Sequence, residues 1–173
     1  MSYLNDSNPV VTFDIKDYGI IKVQLFPVVA PNTVANFITY VKEGYYNGLI
    51  FHRVIKGFMI QGGWGKPKYP PIKGDFTRNG VENNLIHEAG VISMARTQDP
   101  NSATAQFFIM HKNSPHLDGL YAGFGAVIAG QDVVDKIASV RKDGYDKPLE
   151  DVVITSASVE LNAYVLPSVN YIK

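Results

Sequence analysis

Cysteine is absent from this chain of 173 residues. Disulfide bonds, thiolate nucleophiles and thiolate metal ligands are therefore excluded. The chain also lacks any apolar run near the roughly 20 residues that a membrane-spanning helix needs. Its opening segment, residues 1–9, contains neither the basic nor the apolar region of a secretory signal. We therefore expect a cytoplasmic protein that has no membrane partner.

An excess of charge of either sign is also missing. Sixteen Lys and Arg residues offset sixteen Asp and Glu residues. Binding to nucleic acid relies on surplus positive charge, so we expect no nucleic-acid partner. Balanced charge on one compact domain favours a monomer. One local group of cations is typical of a solvated loop face, and we interpret it so: Lys56, Lys66, Lys68, Lys73 and Arg78.

The motifs of several chemistries are missing. The four histidines include no helical i, i+4 pair and no H-E-x-x-H motif, and His87-Glu88 is interpreted as a loop pair. There is no G-x-S-x-G elbow and no phosphate-binding G-x-x-x-x-G-K-[ST] loop. We therefore expect neither a metal nor another cofactor.

Alternating apolar residues are abundant and predict strands. The runs Val10 to Ile15 and Gly19 to Phe26 alternate on both sides of a short turn, which predicts an antiparallel hairpin. Six further runs have the length and composition of strands, and polar loops separate them. These runs are Leu49 to Val54, Phe58 to Gln61, Val91 to Ala95, Gln106 to Met110, Phe124 to Ile128 and Val152 to Val159.

Two segments change to a helical period. Between Pro31 and Glu43, apolar residues recur at helical spacing, Pro31 suits the first turn and Gly44 suits the end. A shorter apolar stripe predicts a second helix from Gln131 to Ala138. Eight strands and two helices predict a mainly β fold, an antiparallel barrel that is closed or nearly closed.

The segment from Phe51 to Gly63 carries the most information about function. Gly57 interrupts the strand period and marks a bulge or turn. If Arg53 reaches the same surface as Met59 and Gln61, the segment offers an apolar floor with a guanidinium and a carboxamide at its rim. Such a surface suits a neutral ligand with a carbonyl group to hold, such as a peptide.

Further blocks establish a family resemblance. They are Gly90 to Arg96, Gln106 to Met110, Leu117 to Gly119 and Phe124-Gly125. Together with Phe51 to Gly63, they make the chain resemble the cyclophilins, which are peptidyl-prolyl cis/trans isomerases. The resemblance is to the short prokaryotic form of the family and extends from about Val11 to Val159.

The resemblance implies a fold and an activity. It implies a closed, eight-stranded antiparallel β-barrel with two capping α-helices, a core of about residues 10–160, and isomerisation of X-Pro bonds in proline-containing polypeptides to assist folding. The apolar segment 161–173 runs past the usual end of the family, and we expect it to lie against the barrel within one domain of 173 residues.

This reaction makes and breaks no covalent bond. Rotation about an X-Pro amide has a barrier of about 18 to 20 kcal/mol, and a catalyst must bind the twisted amide more tightly than either planar form. Twisting gives the proline nitrogen a lone pair, which a fixed cationic donor stabilises. The catalytic arginine of the family falls on Arg53, whose guanidinium is a rigid fork of donors. A surface salt bridge is the alternative interpretation of this arginine.

The resemblance also implies the residues that bind substrate. The proline socket falls on four residues: Phe58, Met59, Phe108 and Leu117. Gln61 and the backbone around Arg96 would hold the peptide, Gln106 would shape the site with Phe107 on the opposite face, and Ala95 would line the adjacent groove. Without the resemblance, core packing alone would explain each apolar member.

Two positions depart from the best-known eukaryotic pattern of the family. His116 stands where that pattern has tryptophan, and Tyr121 stands where it has histidine. Tyr121 keeps an aromatic wall and a hydroxyl group, so we expect the proline socket to survive. In the family the tryptophan contacts cyclosporin, so His116 predicts weak cyclosporin binding.

Two other functions compete with the isomerase. A cyclophilin-fold module could bind proline-containing segments with little catalysis, although intact Arg53, Gln61 and Phe108 favour the enzyme. A small-ligand barrel is disfavoured, because residues such as Phe13, Ile21 and Phe107 are set to fill the interior.

Overall fold

The computed structural model describes residues 1–173 and is mainly β. Each predicted element is present, and the observed ends differ from the predicted ends by at most two residues. The elements are β1 Val10–Ile15, β2 Gly19–Leu25, α1 Pro31–Lys42, β3 Phe51–Ile55, β4 Met59–Gly62, β5 Val91–Met94, β6 Phe107–Met110, β7 Gly123–Ala129, α2 Gln131–Ala138 and β8 Ile154–Glu160. Neither helix has the length and hydropathy that crossing a membrane requires.

The eight strands form one curled antiparallel sheet in the order β3-β4-β6-β5-β7-β2-β1-β8. The predicted hairpin is confirmed, since β1 pairs with β2 from Val10 opposite Gln24 to Ile15 opposite Gly19. The hairpin of β3 and β4 lies at one end of the sheet, beside β6. This order places residues from β3, β4 and β6 next to one another on one surface.

The prediction of a closed barrel is not confirmed, because the ladder has two edges. The edge strands β3 and β8 form no ladder with each other. Backbone contacts join them only near their starts, where Ile50 bridges Val153 and the Phe51 N–H donates to the Val152 carbonyl at 3.0 Å. Beyond that bridge a loop covers β3, where the Val54 N–H donates to the Asp146 carbonyl at 2.8 Å. The sheet is therefore an open half-barrel. The seam between its edge strands β3 and β8 is covered by loop backbone.

Aromatic side chains fill the concave side of the sheet. Phe13 on β1 stacks on Phe107 of β6 with ring centroids 5.3 Å apart, and Phe37 of α1 meets Phe107 edge to face at 5.6 Å. All three residues are fully buried. An interior filled in this way has no room for a ligand, so the small-ligand barrel is excluded.

The segment 161–173 lies along the protein surface, against the start of α1 and the loop that follows β4. The side chains of Asn32 and the backbone of Asn170 exchange two hydrogen bonds of 2.9 Å. The Tyr171 ring stacks on Tyr69 at 5.4 Å, and the Ile172 N–H donates to the Pro71 carbonyl at 2.8 Å. The tail thus ties the start of α1 to the loop that follows β4.

Candidate active site

One pocket of about 160 Å³ brings together most of the residues predicted to act on substrate. Its nine lining residues are all members of that predicted set: Arg53, Phe58, Met59, Gln61, Ala95, Arg96, Phe108, Leu117 and Tyr121. The other two predicted residues, Gln106 and His116, lie beside it and contact Gln61 and Phe58 respectively. The structure therefore groups residues that are up to 68 positions apart in the sequence.

The β3–β4 hairpin positions the polar side of the pocket. An irregularity in the pairing at His52 brings Arg53 directly opposite Gln61. Arg53 Nη1 lies 3.4 Å from Gln61 Oε1, and Gln61 Nε2 donates to Gln106 Oε1 at 3.0 Å. Arg53 is exposed and has no ion-pair partner. The alternative interpretation of Arg53 as a salt-bridge residue is therefore wrong, and the guanidinium donors that do not face Gln61 remain available to a ligand.

Buried apolar side chains form the other side of the pocket. Met59, Phe108 and Leu117 are each less than 8% exposed. The Tyr121 ring stands edge to face against Phe108, with centroids 5.9 Å apart and planes at 81°. Phe107 points to the opposite face, as predicted, and packs in the core. The result is a small apolar socket next to a cationic rim.

Arg96 has a different environment from Arg53. Its Nη2 donates to the Leu120 carbonyl at 2.6 Å, and its Nη1 donates to the Thr97 carbonyl at 2.8 Å. The guanidinium carbon lies 4.4 Å from the centre of the Tyr121 ring, within the range of a cation–π contact. The side chain of Arg96 thus holds Tyr121 in place, which leaves the backbone beside it as the part that can face a peptide.

His116 lies on the rim of the socket. It is exposed and packs on Phe58 with ring centroids 5.7 Å apart. The single tryptophan, Trp64, does not replace it, because Trp64 lies against His52 at 5.3 Å and is 65% exposed. The rim near Phe58 therefore presents an imidazole and no indole.

A buried polar network behind Phe108 was not predicted. His87 lies in a loop, as predicted, but its side chain is buried and stacks on Phe108 at 6.2 Å. Its Nδ1 is 3.1 Å from Asp118 Oδ1 and its Nε2 is 2.9 Å from Ser93 Oγ. Burial lowers the pKa of His87, and the Asp118 carboxylate opposes that shift in part. A histidine in a polar loop gives no local signal of such burial.

The arrangement of the pocket is suited to binding. Nowhere in the chain do three or more His, Asp or Glu residues come together as a metal site. His52, next to Arg53, has a lowered pKa because of burial first and the Arg53 charge second. A fixed cation, a carboxamide and an apolar socket together can hold a peptide carbonyl and a small ring.

Comparison with known proteins agrees with this geometry. The sequence model of the family described as cyclophilin type peptidyl-prolyl cis-trans isomerase matches residues 10–159. Peptidyl-prolyl cis-trans isomerase B of Escherichia coli is 44% identical over 164 residues, covering 87% of this chain and 99% of the relative. A peptidyl-prolyl cis-trans isomerase of Streptomyces antibioticus is 43% identical over 159 residues, covering 82% of this chain and 93% of the relative.

Solved structures point to the same family. A cyclophilin-type isomerase of Cryptosporidium parvum, crystallised in the presence of the dipeptide Ala-Pro, has a TM-score of 0.75 and 32% identity, covering 87% of this chain and 98% of that chain. A cyclophilin of Hirschia baltica has a TM-score of 0.75 and 29% identity, covering 90% of this chain and 74% of that chain. The chain therefore belongs to the cyclophilins, and it is a peptidyl-prolyl cis/trans isomerase.

Proposed function

We propose that Arg53 is the catalytic group and that the socket around Phe108 holds the substrate proline. As the amide twists, the proline nitrogen loses conjugation and its lone pair becomes a hydrogen-bond acceptor. The exposed Arg53 guanidinium supplies a cationic donor at the rim of the socket. This contact forms only with the twisted amide, so it lowers the barrier without tightening the ground state.

Gln61 and the backbone near Ala95 hold the rest of the peptide in this proposal. Gln61 Nε2 is engaged by Gln106 at 3.0 Å, which fixes the carboxamide plane beside Arg53. The Ala95 N–H donates to the Gln106 carbonyl at 3.0 Å. Gln106 therefore contacts both sides of the groove, through Gln61 on one side and Ala95 on the other. The presence of Ala-Pro with the Cryptosporidium parvum structure supports a proline-containing ligand.

The proposed substrates are X-Pro segments of unfolded or flexible polypeptides, whose isomerisation assists folding. The pocket volume of about 160 Å³ suits one proline ring, and the groove is open at the surface. We also propose that the protein acts as a monomer, because its charges balance. Binding of cyclosporin is proposed to be weak, since His116 presents less apolar area than an indole.

The observation that carries the proposal is the placement of Arg53, which has no ion-pair partner, beside the proline-sized socket. The test is a protease-coupled assay of a short X-Pro peptide with wild type, Arg53→Ala and Arg141→Ala. Arg141 is also exposed and lies outside the pocket, so it is the matched control.

Arg53→Ala is expected to lower kcat/KM about a hundredfold, which corresponds to roughly 3 kcal/mol of transition-state stabilisation. Arg141→Ala is expected to behave like wild type. Equal activity of the two variants would overturn the role of Arg53. Binding of proline peptides by an inactive wild type would instead favour a module without catalysis.

A further inference from the structure

One imidazole holds the turn that carries Phe58 into the pocket. His111 follows β6 and is 6% exposed. The Gly57 N–H donates to His111 Nδ1 at 2.8 Å, and the His111 backbone N–H donates to the Phe58 carbonyl at 2.8 Å. On its other side, His111 Nε2 lies 3.2 Å from Asp135 Oδ1 on α2. The residue therefore links α2 to the β3–β4 turn.

These contacts assign the tautomer of His111. A ring nitrogen that accepts the Gly57 N–H carries no hydrogen, so in the neutral ring the proton is on Nε2. That proton faces the Asp135 carboxylate, which accepts it. The neutral Nε2–H form satisfies both neighbours at once.

Backbone hydrogen bonds hold the two ends of the turn but not its tip at Gly57. Its own closing hydrogen bond joins the Phe58 N–H to the Ile55 carbonyl at 2.9 Å. Gly57 has a left-handed φ of +83°, and a Cβ added there would meet no atom within 4 Å. No packing therefore supports the tip of the turn from that side, and His111 provides the side-chain hydrogen bond to it.

We propose that His111 is a positioning residue for isomerisation, which in its neutral Nε2–H form holds the turn so that Phe58 closes the proline socket. The inference rests on the proposed role of Phe58 in substrate binding. His111 contacts no lining side chain in this account and acts through the turn. Its loss would loosen the socket but leave Arg53 and Gln61 in place, so KM would rise while kcat would stay unchanged.

Two substitutions distinguish the roles of the two ring nitrogens of His111. His111→Asn keeps an acceptor at the Nδ1 position. His111→Gln keeps a polar group near the Nε2 position and loses the acceptor for Gly57. KM and kcat of both variants and wild type are measured with the same X-Pro peptide, together with thermal unfolding to show that each variant is folded.

His111→Gln is expected to raise KM between about threefold and about tenfold, the effect of one lost buried hydrogen bond, with kcat unchanged. His111→Asn is expected to stay within about twofold of wild type. Equal KM values for His111→Gln and wild type, or equal impairment of both variants, would overturn the inference.

Phe58→Ala distinguishes this failure from a failure of the proposed site. If Phe58→Ala raises KM and His111→Gln does not, only the inference about His111 falls. If Phe58→Ala leaves KM unchanged, the role of Phe58 falls and the inference falls with it. In the double variant, His111→Gln is expected to add no further change in KM, because both substitutions act on the same contact. Additive effects would show that His111 does not act through Phe58.

Discussion

Arg53 and Gln61 face each other across the β3–β4 hairpin, with Arg53 Nη1 3.4 Å from Gln61 Oε1. The Gln61 amide nitrogen in turn donates to Gln106, which directly precedes β6. Gln61 therefore presents its oxygen to the guanidinium because its nitrogen is already engaged. The orientation of the proposed catalytic arginine thus depends on a contact between neighbouring strands.

Arg53→Lys tests whether a positive charge at this position is sufficient for catalysis. An ammonium group keeps the charge but lacks the planar fork of donors, so kcat/KM is expected to fall at least about tenfold. The free energy of unfolding is expected to change by no more than about 0.5 kcal/mol, because Arg53 is exposed. Kinetics with an X-Pro peptide and urea unfolding measure the two quantities. Full activity of Arg53→Lys would contradict a requirement for the guanidinium geometry.

Phe108→Ala removes the floor of the socket. Phe108 is 6% exposed and contacts both Tyr121 and His87, so the loss is expected to lower stability by about 3 to 5 kcal/mol. Phe108→Leu is the control, because leucine fills more of the socket than alanine does. A proline peptide is expected to raise the Tm of wild type and of Phe108→Leu by more than it raises the Tm of Phe108→Ala. Undiminished protection of Phe108→Ala would place the binding surface elsewhere.

His116→Trp separates turnover from inhibitor binding. His116 lies on the rim against Phe58, apart from Arg53. The substitution is expected to tighten cyclosporin binding by about 1 to 3 kcal/mol, the scale of one aromatic anchor, with little change in kcat/KM. Titration of cyclosporin against both forms measures the gain. Equally tight inhibition of the two forms would refute the prediction.

The pH dependence of stability follows from the buried His87. Burial lowers the pKa of His87 in the folded protein, whereas the unfolded chain binds a proton with a pKa of about 6.5. The unfolded state therefore binds more protons below that pH, and the free energy of unfolding is expected to fall as the pH drops through about 6.5. His52 acts in the same direction, since burial and Arg53 lower its pKa.

Urea unfolding at several pH values measures this slope. His87→Gln is expected to be less stable than wild type but to show a shallower slope, because it removes one titrating group. The same slope in wild type and His87→Gln would show that His87 does not contribute to it.

The C-terminal tail is expected to add stability without taking part in catalysis. Tyr171→Ala removes the ring stacked on Tyr69 at 5.4 Å, and a loss of about 1 to 2 kcal/mol is expected. Val165→Ala is the matched control, since Val165 belongs to the same tail and is 85% exposed. Thermal unfolding and the isomerase assay are compared for both variants. A change in kcat/KM without a change in Tm for Tyr171→Ala would contradict a purely stabilising tail.

Local patterns were sufficient to predict the elements, whereas the family resemblance predicted the members of the pocket. Strand and helix periods report which side of each element is buried, so the eight strands, two helices and the turn at Gly57 follow from neighbouring residues. The resemblance could identify the residues that meet at the pocket because it rests on several short sequence motifs, each of which is local. A local pattern, however, does not show which residues from distant parts of the chain will contact a given side chain.

Tertiary structure decided those partners. The imidazole of His111 accepts a hydrogen bond from Gly57, which is 54 positions away, and His87 becomes buried only when Phe108 and Asp118 close over it. The open seam of the sheet likewise depends on where a distant loop meets β3. The sequence by itself determined which residues could act, through their chemistry and local period. Packing between distant segments determined the burial of His87, the direction of its pKa shift and the supports of the site, because these depend on partners that only the folded chain brings together.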